Sequence, residues 1–194
     1  MLKQIEYMNY SKYDLKIKEL LRDCYCLSRE TIFCVLSKNC PKYNRIIDER
    51  LKLLKSQGSI YSNRISTGNN SHPIYYSSNQ LPPTQLYHIQ LIEQIASVKL
   101  KQGFKVLVQK VNKNLELIPD IEVSKDGVVT FYEIENTWKN QRRVNEKVSK
   151  YVKAKQIDNV IFVFDDEPKA LKYKEKIREM YNVEEFSYYI MQKN

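Results

Sequence analysis

Histidine is nearly missing from this chain: only His72 and His88 occur among 194 residues. No histidine triad is therefore available to hold a metal beside a nucleophilic tyrosine, although fifteen tyrosines are present. Cysteine is scarce as well. Cys24, Cys26, Cys34 and Cys40 all precede Pro41, and no Cys-x-x-Cys pair occurs. Two cysteines two residues apart on a helix face different ways, so core or incidental thiols are expected rather than a zinc site. No apolar run approaches the roughly 20 residues that span a bilayer. Met1-Leu2-Lys3-Gln4 leads into a polar segment, not a signal peptide. A cytoplasmic location without disulfides is the expectation. Internal repeats and long low-complexity tracts are also lacking.

What is present is enough apolar material for a packed core, at 42% of residues, and a clear basic surplus. The length suits one sizeable domain or two small ones. Lys and Arg number 32 against 23 Asp and Glu, a net charge of +9. Residues 1–80 hold 13 of those bases and 7 of the acids, so the surplus is concentrated there. A basic balance of this kind points to an anionic partner, and double-stranded DNA is the expected one. A Lys-, Ile-, Asn- and Tyr-rich composition from an AT-rich genome would produce part of the same surplus.

Apolar spacing predicts three helices in the first 56 residues. Ser11 is placed to cap the first, running to about Cys26, with Leu15, Ile17, Leu20, Leu21 and Cys24 as its apolar side. Ser28 starts a short second helix through Leu36. Pro41 interrupts the chain, and a third helix spans about Tyr43 to Ser56 before Gly58 stops it. Two short β-like pieces follow, Ser59–Ile65 and Pro73–Ser77. Three helices and a hairpin read as a winged helix-turn-helix over 1–80. Its third helix would enter the major groove with Lys42, Tyr43, Asn44 and Arg45 at its start, and Arg64 and His72 would lie in the wing.

Leu81-Pro82-Pro83 reads as a stiff linker to a second domain over 84–194. Thr84 is placed to cap a helix to about Lys101, with Leu86, Ile89, Ile92, Ile95 and Val98 as its stripe. Lys105–Val111 reads as a strand, Asn140 to about Lys155 as a helix, and residues 159–164 as a strand buried on both faces. A helix over about Pro168–Tyr181 and a strand Phe186–Met191 close the chain. The order α-β-β-β-α-β-α-β predicts an α/β sandwich around a mixed sheet.

Within that domain the acidic residues are spaced in a pattern. Pro119-Asp120 is followed by Ile121 and Val123, then by the turn signal Asp126-Gly127, then by a returning strand that ends in Glu133-Ile134-Glu135. Glu133 and Glu135 are two apart and share one face of that strand. The hairpin brings Asp120 alongside them. Three converging carboxylates suit a hard divalent cation, Mg²⁺ or Mn²⁺, and such a site is what a metal-dependent phosphodiesterase requires.

The order Pro-Asp, hairpin, Glu-x-Glu, helix resembles the PD-(D/E)xK nuclease superfamily. Within it the chain is most similar to plasmid replication-relaxation proteins and MOB-C mobilisation relaxases, which share a helix bearing Lys-x-x-x-Tyr, here Lys147 to Tyr151. Glu135 departs from the superfamily's usual Lys, which feeds an alternative reading as a catalytically silent DNA-binding accessory or regulator. The resemblance implies a restriction-endonuclease-like fold and a metal-dependent DNA endonuclease, nicking in the manner of a relaxase. It would act at a recognised site during mobilisation or replication of a mobile element, in company with other transfer or replication proteins. A restriction or repair endonuclease is the third reading. In the leading one Asp120 and Glu133 bind metal and Glu93 adds a further acid. Glu135 manages the attacking water, Lys147 stabilises the phosphorane and Tyr151 contacts the DNA backbone. His88 is expected to be structural or capping, and Trp138 to pack in the core. Oligomeric state is left open, with a dimer allowed.

Overall fold

The computed structural model describes residues 2–38, 40–65, 73–109, 118–135, 141–153, 160–181 and 188–190. They form a mixed α/β protein whose described residues make six helices and two sheets. The chain divides into two compact units, Met1–Val106 and Leu107–Asn194.

In the first unit, α1 (Leu2–Cys24) starts well before Ser11, which lies inside the helix rather than at its cap. Ile17, Leu21 and Cys24 are buried as their spacing requires, whereas Leu15 points outward. Tyr25 adopts a left-handed φ of 62°, which ends the helix and lets β1 (Cys26–Ser28) begin. Three residues are too few to display a period of two, so this strand is silent in the sequence. Ser28 caps α2 (Arg29–Ser37), its hydroxyl accepting the Thr31 N–H at 3.2 Å. A 3-10 turn at Pro41–Tyr43 leads into α3 (Asn44–Ser56), which buries Ile47, Leu51 and Leu54. Arg50 of α3 pairs with Asp14 of α1.

β2 (Tyr61–Arg64) and β3 (Ile74–Ser77) complete an antiparallel sheet of order β1-β3-β2. Residues 66–72, His72 among them, lie outside the described residues. Leu81 is buried with Cys26, Ile65, Tyr75 and Ile89, so the expected linker is packed rather than a free tether. A second 3-10 turn, Pro83–Gln85, precedes α4 (Leu86–Lys101). Gln85, not Thr84, stands at its N-cap, and no side chain caps it by hydrogen bond. Val98 is exposed, while Ile89 and Ile92 are buried. The division of the chain falls at Val106, beyond the expected boundary at 81–83, and so leaves α4 in the first unit.

The second sheet runs β4 (Lys105–Val108), β5 (Ile121–Lys125), β6 (Val128–Glu135), β7 (Val160–Phe164), β8 (Tyr188–Ile190) in spatial order. β5 and β6 are antiparallel; β6, β7 and β8 are parallel. Lys125 pairs with Val128 across a two-residue turn in which Asp126 and Gly127 have φ of 52° and 82°. Positive φ at both positions matches the twist of a tight hairpin, which is why Asp-Gly serves there. The crossovers carry α5 (Gln141–Lys153) and α6 (Glu167–Tyr181). Their apolar sides meet Phe131, Val160, Phe162 and Phe164 through Val148, Tyr151, Ala170, Tyr173 and Ile177. Trp138, and the expected helix start at Asn140, lie outside the described residues.

Phe162 sits at the middle of this cluster, 1% exposed, with the Tyr151 ring edge-on at 6.5 Å. Phe162→Ala is expected to cost about 3–5 kcal/mol, read from the urea midpoint of the full chain. A loss well under 1 kcal/mol would mean that this face is not packed as described.

Candidate functional site

The β5–β6 ladder begins at the pair Ile121 and Tyr132, so β6 runs on beyond β5 by three residues. Asp120 covers that overhang. Its carboxylate accepts the Ile134 N–H at 2.8 Å, and its carbonyl accepts the Gln109 N–H at 3.1 Å. A backbone donor on an overhanging strand needs a partner, and a short acidic side chain just before the paired strand is well placed to supply one.

Glu133 and Glu135 stand opposite Phe162 and Phe164 in the β6–β7 register. They therefore project into the same apolar layer as Phe131, Val160 and the inner sides of α5 and α6. Their side chains are only 3% and 1% exposed. Buried carboxylates are costly unless paired and hydrogen-bonded, and both conditions are met. Lys147 Nζ on α5 lies 2.5 Å from Glu133 Oε2 and 3.0 Å from Glu135 Oε1, bridging the two. Tyr151, one turn further along α5, donates its hydroxyl to Glu133 Oε1 at 2.5 Å. Tyr173 on α6 gives a longer bond, 3.4 Å, to Glu135 Oε2.

The electrostatics follow from this crowding. Burial pushes the Glu133 carboxyl up, to about 7; the Lys147 charge opposes the shift, the Asp120 charge adds to it, and the bonds from Lys147 and Tyr151 oppose it. Burial works against the Lys147 ammonium, but Glu133, Glu135 and Asp120 outweigh it and hold that group well above the ordinary lysine range. Burial and the Glu133 charge likewise raise the Tyr151 hydroxyl. The ammonium stays charged beside the two glutamates, and the raised Glu133 carboxyl makes the surplus of negative charge one that grows as pH rises through neutrality.

That surplus is what a divalent cation would neutralise. Asp120, Glu133 and Glu135 bring three carboxylates to one strand pair, and Lys147 is the ammonium set against them. The donor types are those a hard cation takes. As arranged, however, no group of three His, Cys, Asp or Glu side chains among the described residues is disposed to hold an ion. Lys147 stands between Glu133 and Glu135 instead.

Other expected site residues fall elsewhere. Glu93 belongs to the first unit and is 5% exposed. Its Oε1 accepts the Ser28 N–H at 3.1 Å and the Thr31 hydroxyl at 2.8 Å, so it acts as a buried cap for α2 rather than as a metal ligand. Tyr151 is fully buried, and its hydroxyl serves Glu133 rather than a DNA backbone. At the head of α3, Lys42 and Arg45 are exposed, Lys42 lying 5.0 Å over the Tyr43 ring and Arg45 pairing with Glu49 at 3.1 Å. Asn44 turns its side-chain oxygen inward, where it meets no hydrogen-bond donor. Arg64 is exposed at the end of β2. Tyr173 carries no sequence signal for membership of the cluster. It follows Glu135 by 38 residues, and only the packing of α6 brings it there.

Removal of the Tyr151 hydroxyl leaves a buried carboxylate oxygen without its donor. Tyr151→Phe is expected to destabilise the chain by about 1–3 kcal/mol in urea denaturation. Tyr173→Phe, which loses only the longer bond, should cost less. Equal losses would contradict the ranking.

Compared with known proteins, the chain matches no family model, no curated protein and no solved structure.

Proposed function

We propose that this chain is a DNA-binding protein that cuts or nicks DNA at a recognised site with the help of Mg²⁺ or Mn²⁺. In this reading residues 1–80 form a winged helix and the sheet of the second unit is a PD-(D/E)xK-like nuclease core. The observation that carries the reading is the convergence of Asp120, Glu133, Glu135 and Lys147 at the end of one strand pair. The helix-strand-helix-helix-hairpin order of the first unit, with its β1-β3-β2 sheet, supports the winged-helix part. The residue pattern supports a role in mobilisation or replication of a mobile element.

Asp120 and Glu133 would hold the cation, which would polarise the phosphate and acidify its bound water. Glu135 accepts the proton of the attacking water. The water oxygen would form a bond to phosphorus while the bond to the leaving sugar oxygen breaks, and that oxygen would take a proton from solvent. Lys147, a quarter exposed, is the cluster's cation with access to solvent, and it stabilises the charge that grows on the phosphate oxygens. Tyr151 and Tyr173 hold the two glutamates in place. Glu93 has no part in this scheme.

A second reading has a specific observation behind it. Both oxygens of Glu133 are already occupied by Lys147 and Tyr151, as a cluster kept only for structure would have them. A catalytically silent DNA-binding regulator would look the same.

Conversion of supercoiled plasmid to open-circular or linear form separates the two. Cleavage is expected with Mg²⁺ or Mn²⁺ and not with EDTA. Glu133→Gln, Asp120→Asn and Glu135→Gln should each lower the rate by roughly 10²-fold or more. An inactive parent protein, on plasmids that carry its target site, would favour the silent reading. Undiminished cutting by Glu133→Gln would remove the cluster from the chemistry.

Duplex binding tests the other half. Lys42→Ala and Arg45→Ala are expected to weaken binding at low salt and to lower the slope of log affinity against log salt by about 1 each. A chain that ignores duplex DNA at low salt would overturn the DNA-binding assignment.

A further inference from the structure

The outer side of α5 carries a charge surplus that α6 lacks. Arg142, Arg143, Lys150 and Lys153 are exposed along α5, and Glu146 is the one acid in its sequence. α6 packs on the same apolar cluster and is also rich in charge. Its exposed Lys172, Lys174 and Arg178, however, are offset by exposed Glu167, Glu175 and Glu179. A lysine-rich composition alone would load both helices alike, so the surplus belongs to α5 itself. Val148 and Tyr151, on the opposite side of α5, are buried and fix which side faces outward.

Arg142 and Lys153 are three turns apart, about 16 Å along the helix axis. One strand of B-DNA sets a phosphate about every 3.4 Å of its axis, so the stripe is long enough to meet several. Arg143, Lys147 and Lys150 follow one another at i, i+4 and i+7 and form one row. Lys147 in that row holds Glu133 and Glu135. We propose that the exposed side of α5 is a docking surface for the sugar–phosphate backbone of duplex DNA, held without regard to base sequence. The inference rests on the DNA-binding reading and adds to it a contact in the second unit. It requires neither a metal ion nor cleavage.

The occupant follows from what the stripe holds and what it lacks. Guanidinium and ammonium groups match phosphate oxygens. Among the described residues of α5 no aromatic side chain is exposed, so unstacked bases have no platform there. No large apolar side chain is exposed on it either, as insertion into a lipid surface would require. Glu146 does not close the surface. Its pair with Arg142 Nε, at 2.8 Å, joins side chains 86% and 56% exposed, and such a pair is readily exchanged for another anion. The bond from Arg142 and the charges of Arg142, Lys150 and Arg143 hold the Glu146 carboxyl below the ordinary carboxylate range. An anion on this side of the helix is thus already in a positive field.

Binding of the full chain to a fluorescent duplex, followed from low to physiological salt, tests the surface. Arg143→Ala, Lys150→Ala and Lys153→Ala together should weaken binding at low salt by about tenfold or more and lower the slope of log affinity against log salt by about 2–3. The loss should be the same on two duplexes of unrelated sequence. Lys172→Ala, Lys174→Ala and Arg178→Ala together remove the same charge from α6 and should change the slope by less than about 1. Lys150→Arg with Lys153→Arg keeps the charge and should bind as wild type does. Equal losses from the α5 and α6 variants, a loss confined to one duplex sequence, or no loss from the α5 variant would overturn the α5 surface and leave the DNA-binding reading standing. Preference of the wild-type chain for phosphatidylserine vesicles over duplex would give the surface to a membrane instead. A wild-type chain that ignores duplex DNA at low salt would overturn both.

Discussion

Two glutamates lie under two helices in an otherwise apolar layer, and one lysine makes that arrangement tolerable. Without the Lys147 bridge, Glu133 and Glu135 would be unpaired charges beside Phe162 and Phe164, at a cost of several kcal/mol each. With it, α5 is tied to β6 at one height, Tyr151 meets Glu133, and the aromatic cluster of Phe131, Tyr151 and Phe162 closes around the pair. The position of α5 on the sheet and the geometry of the candidate site are thus set by the same contact.

Such clusters are not an efficient way to gain stability. Well-packed apolar side chains of similar volume usually hold a core at least as firmly as a buried ion pair does. A cluster that mixes Glu, Lys and Tyr in a Phe-rich layer therefore supports a use beyond holding the fold. The first unit offers a contrast. Glu93 is also buried, but its oxygen accepts the Ser28 N–H and Thr31 hydroxyl at the start of α2, which accounts for it as an ordinary cap. Burial of an acid alone does not separate a structural role from a chemical one. Confinement with two more carboxylates and a lysine is what the nuclease reading adds to it.

Much of this was legible in the residues, and for local reasons. Asp126-Gly127 fixes the hairpin, and a period of two puts Glu133 and Glu135 on one face whatever surrounds them. Lys147 and Tyr151 fall one turn apart on any helix through that segment. The continuous run Val160–Phe164 reads as a strand buried on both faces, and all of it but the partly exposed Ile161 is buried. What escaped was non-local or very short. β1 is three residues set off by a left-handed Tyr25. Tyr173 meets Glu135 only through tertiary packing. The capping role of Glu93 and the burial of Leu81 beside Cys26 depend on neighbours tens of residues away.

The dependence of the whole arrangement on Lys147 is open to direct measurement. Urea denaturation in EDTA at neutral pH would compare wild type, Lys147→Met, the pair Glu133→Gln with Glu135→Gln, and all three changes together. If the lysine offsets two buried charges, Lys147→Met alone should lose about 3–5 kcal/mol, and the triple variant should recover most of that loss. Losses that simply add, with the triple variant the least stable, would show that the three side chains do not act as one unit.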